Sequence, residues 1–349
     1  SLNGGRGMVR AGNGEIFAVA GLKSANGAGL RLCKFSKTGQ PSLFSATQTP
    51  CVDRIFSGGV THSPLTLAVD SQSAIWVLGA NGDLVRVLAT GQFDPTFAGD
   101  RFTLPNAQAI GLAPYGIAID ASDAVFVVGR ANQGQFVRGY VAKLVATGAG
   151  PQMVAGFGSG GTRLIGCGTD PINNVNSTCA FTRVATRESD VFVVGVGAYL
   201  SDTVVLGQLD RTSGADVHPL RVTSELNSGS GARPLGMVVE SSGDLIVSGS
   251  VDAGNDPQHV FLARFATRCP GLPAEFDQGG FFGGESGFTV YYFGLGVPSS
   301  GGAVALGANR LYVGGSKDNV NPKQPAIAAF VDNHAFFDGI FANGFDACQ

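Results

Sequence analysis

A fourteen-residue module, read most clearly at Thr66 to Gly79 (TLAVDSQSAIWVLG), recurs along this chain and constrains its fold more than any other feature. An apolar run meets a polar turn at Asp70–Ser73, and a second apolar run, Ile75–Leu78, ends on glycine. Apolar alternation broken by turn residues predicts one β-hairpin. Copies stand at Met8–Gly21, Gly116–Gly129, Thr182–Gly195, Gly236–Gly249 and Gly302–Gly315, so the closing glycines recur every 50 to 66 residues. Each copy is followed by a third apolar alternation: Leu30–Phe35, Leu84–Leu88, Tyr140–Leu144, Val205–Leu209, Phe261–Phe265 and Ala326–Val331. Turns such as Lys37-Thr38-Gly39 and Ala89-Thr90-Gly91 follow most of these, and a fourth short strand fits at Arg101–Leu104 and Arg163–Ile165.

Four strands repeated six times predict an all-β chain: a six-bladed β-propeller of four-stranded antiparallel blades in a single closed ring. The blades fall at roughly 1–60, 61–110, 111–178, 179–230, 231–296 and 297–349, within one domain spanning 1–349. A linear solenoid of the same repeats would leave open sheet edges, which a ring removes. Three convincing helical turns occur nowhere, because Gly and β-branched residues interrupt every candidate.

Composition narrows the partners. Lys and Arg number 23 against 26 Asp and Glu, a net charge of −3, with neither a basic patch nor an acidic tail. Nucleic acid and anionic membrane both need clustered Lys and Arg, so neither is expected as a partner. The most apolar windows, such as Val191–Leu200, fall well short of the roughly 20 residues of a transmembrane span. Six cysteines occur without a C-x-x-C pair or a histidine at ligand spacing, which disfavours zinc. An even count in a β-rich chain points to disulfides and an oxidising compartment, with free buried thiols as the alternative. Among the possible pairings the economical one joins neighbours: Cys33–Cys51, Cys167–Cys179 and Cys269–Cys348. The start at Ser1 suits a matured secreted protein and equally a trimmed chain.

Several segments resemble a known repeat. Gln92-Phe93-Asp94-Pro95-Thr96-Phe97-Ala98-Gly99-Asp100 resembles the "LDPSFG-G" turn of the delta-sixty repeats of secreted bacterial proteins. Gly156-Phe157-Gly158-Ser159-Gly160-Gly161 and Glu275-Phe276-Asp277-Gln278-Gly279-Gly280 are degenerate forms of it. Phe261-Leu262-Ala263-Arg264-Phe265 resembles the "FALARY" strand that precedes that turn, and Gly243-Asp244-Leu245-Ile246-Val247-Ser248-Gly249 the "DGKIVVAG" hairpin. Blades one, four and six lack the D-P-S/T-F turn. The resemblance implies an extracellular or periplasmic bacterial β-propeller, and it carries no catalytic residues. The ending Phe336–Asp346 also resembles an "IF-x-x-GFE" tail of some secreted proteobacterial proteins, and its aromatics suit a last strand packed on blade six.

Propeller topology puts two loop sets on one face. One joins strands two and three (Arg130–Arg138, Val196–Thr203, Ser250–His259, Ser316–Pro325). The other leads into the next blade (Ser45–Ser63, Ala98–Pro114, Gly158–Ala180, Val217–Pro234, Leu272–Gly301). Long loops on a rigid scaffold are where binding usually resides. Pro64, Pro114 and Pro234 stand two residues before their modules and hold the entry to the innermost strand extended. Beside such entries lie His62, Tyr115, Arg183 and Arg233, candidates for a polar and aromatic collar at the channel mouth that takes an anionic or sugar-like ligand. The alternative is a water-filled mouth with satisfied polar side chains.

Other constellations read as structure. Asp70, Asp120 and Glu240 occupy equivalent module positions, but Asp at a turn caps its own backbone, and the other modules carry Gly12, Thr186 and Leu306 there. Asp252-Ala253-Gly254-Asn255-Asp256 offers oxygen ligands to Ca²⁺ without the spacing of a calcium loop. Gly156–Gly161 fits G-x-G-x-x-G with no strand–helix unit around it, so it reads as the repeat turn. No G-x-S-x-G elbow exists, and His62, His218, His259 and His334 lack motif neighbours, although triads assemble in space from any chain order. Asn176-Ser177-Thr178 is a formal glycosylation sequon. The aromatic tract Phe276–Phe293 suits blade core or an exposed stacking loop.

The expectation is therefore a secreted or cell-surface propeller acting as a binding or structural module, without catalysis and without cofactor. Its partner would be a protein, a carbohydrate or a small ligand on the long-loop face. A lactonase-like propeller hydrolase and a self-assembling surface or filament subunit are the alternatives.

Overall fold

The computed structural model describes residues 2–24, 27–56, 63–97, 101–168, 178–198, 202–223, 231–240, 244–253, 256–266, 275–276, 288–291, 299–306, 310–317 and 324–331. Every named element among them is a strand. Sheet one runs β1 (Leu2–Arg10), β2 (Ile16–Ser24), β3 (Gly27–Phe35) and β4 (Cys51–Ile55) in sequence order. Sheet two runs β5 (Pro64–Val69), β6 (Ile75–Gly79), β7 (Asp83–Val87) and β8 (Phe102–Thr103). Sheet three holds β9 (Ala113–Ile119), β10 (Ala124–Gln133), β11 (Phe136–Thr147), β12 (Gly150–Met153) and β13 (Thr162–Ile165). Sheet four runs β14 (Thr178–Arg187), β15 (Asp190–Ala198), β16 (Asp202–Asp210) and β17 (Asp216–Thr223). Sheet five holds β18 (Ala232–Val239), β19 (Leu245–Ala253), β20 (Asp256–Ala266), β21 (Glu275–Phe276) and β22 (Phe288–Tyr291), and sheet six β23 (Ser299–Leu306), β24 (Arg310–Lys317) and β25 (Gln324–Val331). Six consecutive antiparallel sheets, one per module, make a six-bladed β-propeller.

The strand count per blade departs from a uniform four. In blade three the outer strand is split: β12 pairs with Leu144–Thr147 of β11 and β13 with Gly139–Ala142. The Gly156–Gly161 turn causes the split. Phe157 is fully buried there, edge-on to Phe126 at 5.8 Å, and pins the chain between the two pieces. At twelve residues, β11 is long enough to pair with both. Blade five repeats the arrangement, with β21 and β22 both on β20. Blade six has three strands among the described residues.

The closing glycine of each module has a physical reason that the sequence conceals. In all six blades it pairs with the residue just before a β-bulge in the first strand: Gly21 with Asn3, Gly79 with Pro64, Gly129 with Pro114, Gly195 with Phe181, Gly249 with Pro234 and Gly315 with Gly301. The bulge presses the first strand's backbone onto the glycine. A Cβ at Gly195 would overlap the Ala180 carbonyl oxygen, and one at Gly249 the Arg233 carbonyl oxygen. Proline suits the bulge because the ladder is interrupted there and its missing N–H leaves no gap.

The chain forms two compact units, Ser1–Ile165 and Gly166–Gln349. In the first, blade one packs on blade two through Phe17, Val19, Leu32, Ile75, Val77 and Val87, and blade two on blade three through Trp76, Leu78, Val125, Val127 and Leu144. In the second, Phe192 and Val194 of blade four meet Leu245, Val247 and Phe265 of blade five, whose other face carries Ile246 and Leu262 against Leu311 and Val313 of blade six. Strands covered on both faces read as continuous apolar runs, as in Ile75–Gly79, buried at every residue. Each such Val, Leu or Phe contributes roughly 1.5–3 kcal/mol relative to exposure.

Two of the three expected disulfides are present. Cys33–Cys51 joins directly opposed residues of β3 and β4, and Cys167–Cys179 ties the segment after β13 to β14. Cys269 and Cys348 lie outside the described residues, as do the tail beyond 331 and most of the Phe276–Phe293 tract. Among the described residues no helix is long and apolar enough to cross a membrane.

Candidate functional site

The first-strand entries hold three of the four expected collar residues, and His62 lies outside the described residues. Tyr115 is the bulged residue of β9, half-buried, opposite the Val128–Gly129 step of β10. Thr182 occupies the same bulge position in β14, and Arg183 follows it, paired with Val194. Arg233 lies on β18 beside Pro234, with its side chain exposed.

The strands that carry Arg183 and Arg233 are linked by a residue that the sequence pattern does not single out. The bulge turns the Thr182 hydroxyl toward the neighbouring blade, where it donates to the Pro234 carbonyl at 2.7 Å. That bond joins β14 to β18 and sets Arg183 and Arg233 one residue away on either side. Arg183 Nη1 donates to the Thr182 carbonyl at 2.6 Å, and no carboxylate accompanies it among the described residues. Burial without a counter-charge holds its pKa below the usual arginine value.

A second polar region lies at the opposite ends of the strands, among the hairpin tips of the first unit. A cavity of ≈ 410 Å³ opens there between Asp70, Arg86 and Asp94 of blade two and Asp123 and Thr147 of blade three. It sits among tight turns rather than among the long loops favoured by the sequence. On the long-loop side, a cavity of ≈ 400 Å³ over Thr103–Ala109 carries no titratable group.

Arg86 organises the hairpin-tip region. Its Nη2 donates to Asp70 Oδ2 at 2.6 Å and to Gln72 Oε1 at 3.0 Å, its Nε to Asp70 Oδ2 at 3.0 Å, and its Nη1 to Asp94 Oδ2 at 2.9 Å. The guanidinium lies 5.6 Å from the centre of the Trp76 ring, and Trp76 Nε1 donates to Asp70 Oδ2 at 3.2 Å. Asp70 Oδ1 also accepts from the Gln72 and Ala74 amides, which bears out its reading as a turn cap. Asp94 Oδ1 accepts from the Thr96 amide and hydroxyl at 2.9 and 2.7 Å. Burial alone would lower the Arg86 pKa and raise that of Asp94. Hydrogen bonds outweigh it: those to Asp70 and Asp94 hold Arg86 above its ordinary value, and those from the Thr96 amide and hydroxyl, then from Arg86, hold Asp94 below its own. The carboxylates and the guanidinium of this cluster are engaged in fixing the D-P-T-F turn to the hairpin.

The pattern recurs. In blade five Arg264 is fully buried against Glu240 at 2.6 Å and Asp244 at 3.1 Å. In blade three Lys143 stands opposite Phe126, as Arg86 does opposite Trp76, with its ammonium 5.4 Å from the Phe126 ring centre. A sequence trace of this was available. The three modules with an acid at the turn (Asp70, Asp120, Glu240) have a base on the third strand (Arg86, Lys143, Arg264). Those without the acid have Cys33, Gln208 and Ala329 there.

The remaining candidates do not assemble. Gly254 and Asn255 of the Asp252–Asp256 stretch, together with His334, lie outside the described residues. Among the described residues no group of three or more His, Cys, Asp and Glu side chains gathers as for a metal.

No family model matches the chain, and no curated protein matches it. Solved structures similar in fold include a catalytically inactive variant of virginiamycin B lyase from Staphylococcus aureus with quinupristin, at 12% identity and TM-score 0.47, covering 94% of this chain and 84% of that one. The Dos1 propeller is similar at 8% identity and TM-score 0.43 over 90% and 66% of the two chains. A putative oxidoreductase (glucose dehydrogenase) of Thermus thermophilus is similar at 15% identity and TM-score 0.40 over 67% and 73%. Likenesses of this size carry no argument about activity.

Proposed function

We propose that this protein is a non-catalytic binding module of an oxidising, extracellular or periplasmic setting, and that its ligand docks at the entry to the innermost strands. The observation that carries the reading is Arg183, a partly buried cation whose one hydrogen bond among the described residues goes to a backbone carbonyl. Arg31, Arg86 and Arg264 have carboxylate partners. Arg183 has none among the described residues, so its donors remain for a ligand. Disulfides persist in oxidising compartments, and Cys33–Cys51 and Cys167–Cys179 support the setting. The D-P-T-F turn and its relatives support membership among delta-sixty-type repeats of secreted bacterial proteins. The blade scaffold holds Arg183 on a strand rather than on a loop, which suits a preformed site.

The test pairs binding with turnover. The purified chain is offered a panel of acidic and neutral polysaccharides, then ester and lactone substrates with and without divalent cations. The reading predicts saturable binding that falls in Arg233→Ala, with no turnover. Substrate turnover that disappears in Arg233→Ala or His62→Ala would overturn it in favour of a hydrolase.

A further inference from the structure

Arg183 is the one large side chain at its position in the repeat. The residue that resumes pairing after the first-strand bulge is Gly5, Thr66, Gly116, Gly236 and Ala303 in the other blades. Five small residues and one arginine mean that the position has no structural need for a cation. Arginine carries five N–H donors in a planar fork. Here one of them, on Nη1, reaches the neutral Thr182 carbonyl, and no other described residue accepts from the rest. Removing a guanidinium even partly from water without a counter-charge is unfavourable. Arg31 has Asp53, Arg86 has Asp70 and Asp94, and Arg264 has Glu240 and Asp244. Among the described residues Arg183 lacks the partner that each of these has.

The backbone that presents it is fixed at two points. Cys179, four residues earlier on the same strand, is fully buried and bonded to Cys167. Thr182 bonds across to the Pro234 carbonyl. Rigid support on both sides is what a preorganised ligand-binding donor requires. The Thr182 bond ends on Pro234 of β18, the residue just before the bulge of that strand, so the link is made at a fixed point of the next blade.

We infer that Arg183 binds an oxyanion: a carboxylate or phosphate group carried by the ligand and gripped by the guanidinium fork. The inference rests on the reading of the strand entries as the binding face, and it names the chemistry of what binds there. A planar fork takes either anion through two oxygens, so phosphate and carboxylate probes distinguish the source.

The experiment titrates inorganic phosphate and, separately, acetate into the full chain at constant ionic strength balanced with chloride, read by calorimetry. One probe is expected to saturate, and which one identifies the ligand group. Arg183→Met should weaken that binding at least tenfold, and Arg183→Lys less because the charge stays but the fork is lost. Circular dichroism of Arg183→Met and Arg183→Lys checks that both retain the β-sheet fold. Saturation unchanged in Arg183→Met, or no saturable response to either probe, overturns the inference. In that second case polysaccharide binding that survives Arg183→Met would leave the binding-module reading intact, so the two fail separately.

Discussion

Arg86 and Arg183 are the same residue in two environments, and their contrast separates architecture from function in this molecule. Arg86 sits on the third strand of its blade between two carboxylates and over an indole, with hydrogen bonds that hold its pKa above the ordinary value. Arg183 sits on the first strand with a carbonyl for its partner, and burial pulls its pKa the other way. The acids around Arg86 are satisfied within the blade, so the hairpin-tip cavity offers little unmet chemistry despite its size and polarity. The larger lesson is that a cavity lined by charges is not thereby a site. What marks a site is a donor or acceptor that the fold leaves without a partner.

The contrast can be broken at several points. The largest effect is expected at Arg86. Replacing it by Met leaves Asp70 and Asp94 buried without their cation, a loss of roughly 3–5 kcal/mol measurable by urea unfolding. Removing the Cys167–Cys179 bridge by paired serine substitution opens a link between residues 12 apart in sequence. A loop of that size should cost about 3 kcal/mol, and the freed strand should also bind the anion probe less tightly. Gly195→Ala introduces a Cβ that overlaps the Ala180 carbonyl oxygen beside the Thr182 bulge. The overpacking should cost about 1–3 kcal/mol in the same assay and shift Arg183 with it.

A smaller effect concerns pH. Asp94 has a folded pKa below the unfolded carboxyl value of roughly 3.9. Its contribution to stability is therefore complete above about pH 4 and disappears as pH falls through the lower folded value. Unfolding midpoints measured from about pH 6 down to about pH 2 should show a steeper acid limb in the unmodified protein than in Asp94→Asn. Equal limbs would mean that the hydrogen bonds of the Asp94 carboxylate to Thr96 and Arg86 contribute nothing to acid stability.

Much of the architecture was legible in the sequence because short-range rules set it. The hairpins, the third strands and Asp70 as a turn cap follow from period-two alternation and Asx chemistry within a few residues. The short fourth strands at Phe102–Thr103 and Thr162–Ile165 fall within or beside the segments the pattern indicated. The split outer strands were not legible, since they depend on β11 and β20 being long enough to pair twice. Nor were the bulges, because one extra residue on one strand leaves no mark in a glycine-rich pattern. The Arg86 cluster did leave a mark, in the joint occurrence of a turn acid and a third-strand base, which shows only when all six modules are compared position by position. Arg183 was legible by place and not by character. Its position near the strand entry could be counted from the module, whereas its lack of a counter-charge depends on which residues surround it in space.

The contrast itself is tested most directly by equilibrium unfolding of Arg86→Met and Arg183→Met side by side under one set of conditions. The account predicts a loss of roughly 3–5 kcal/mol for the first and, because a partly buried charge with no carboxylate partner among the described residues is removed, no loss or a slight gain for the second. Comparable losses in both variants would contradict it, and would make Arg183 another structural arginine.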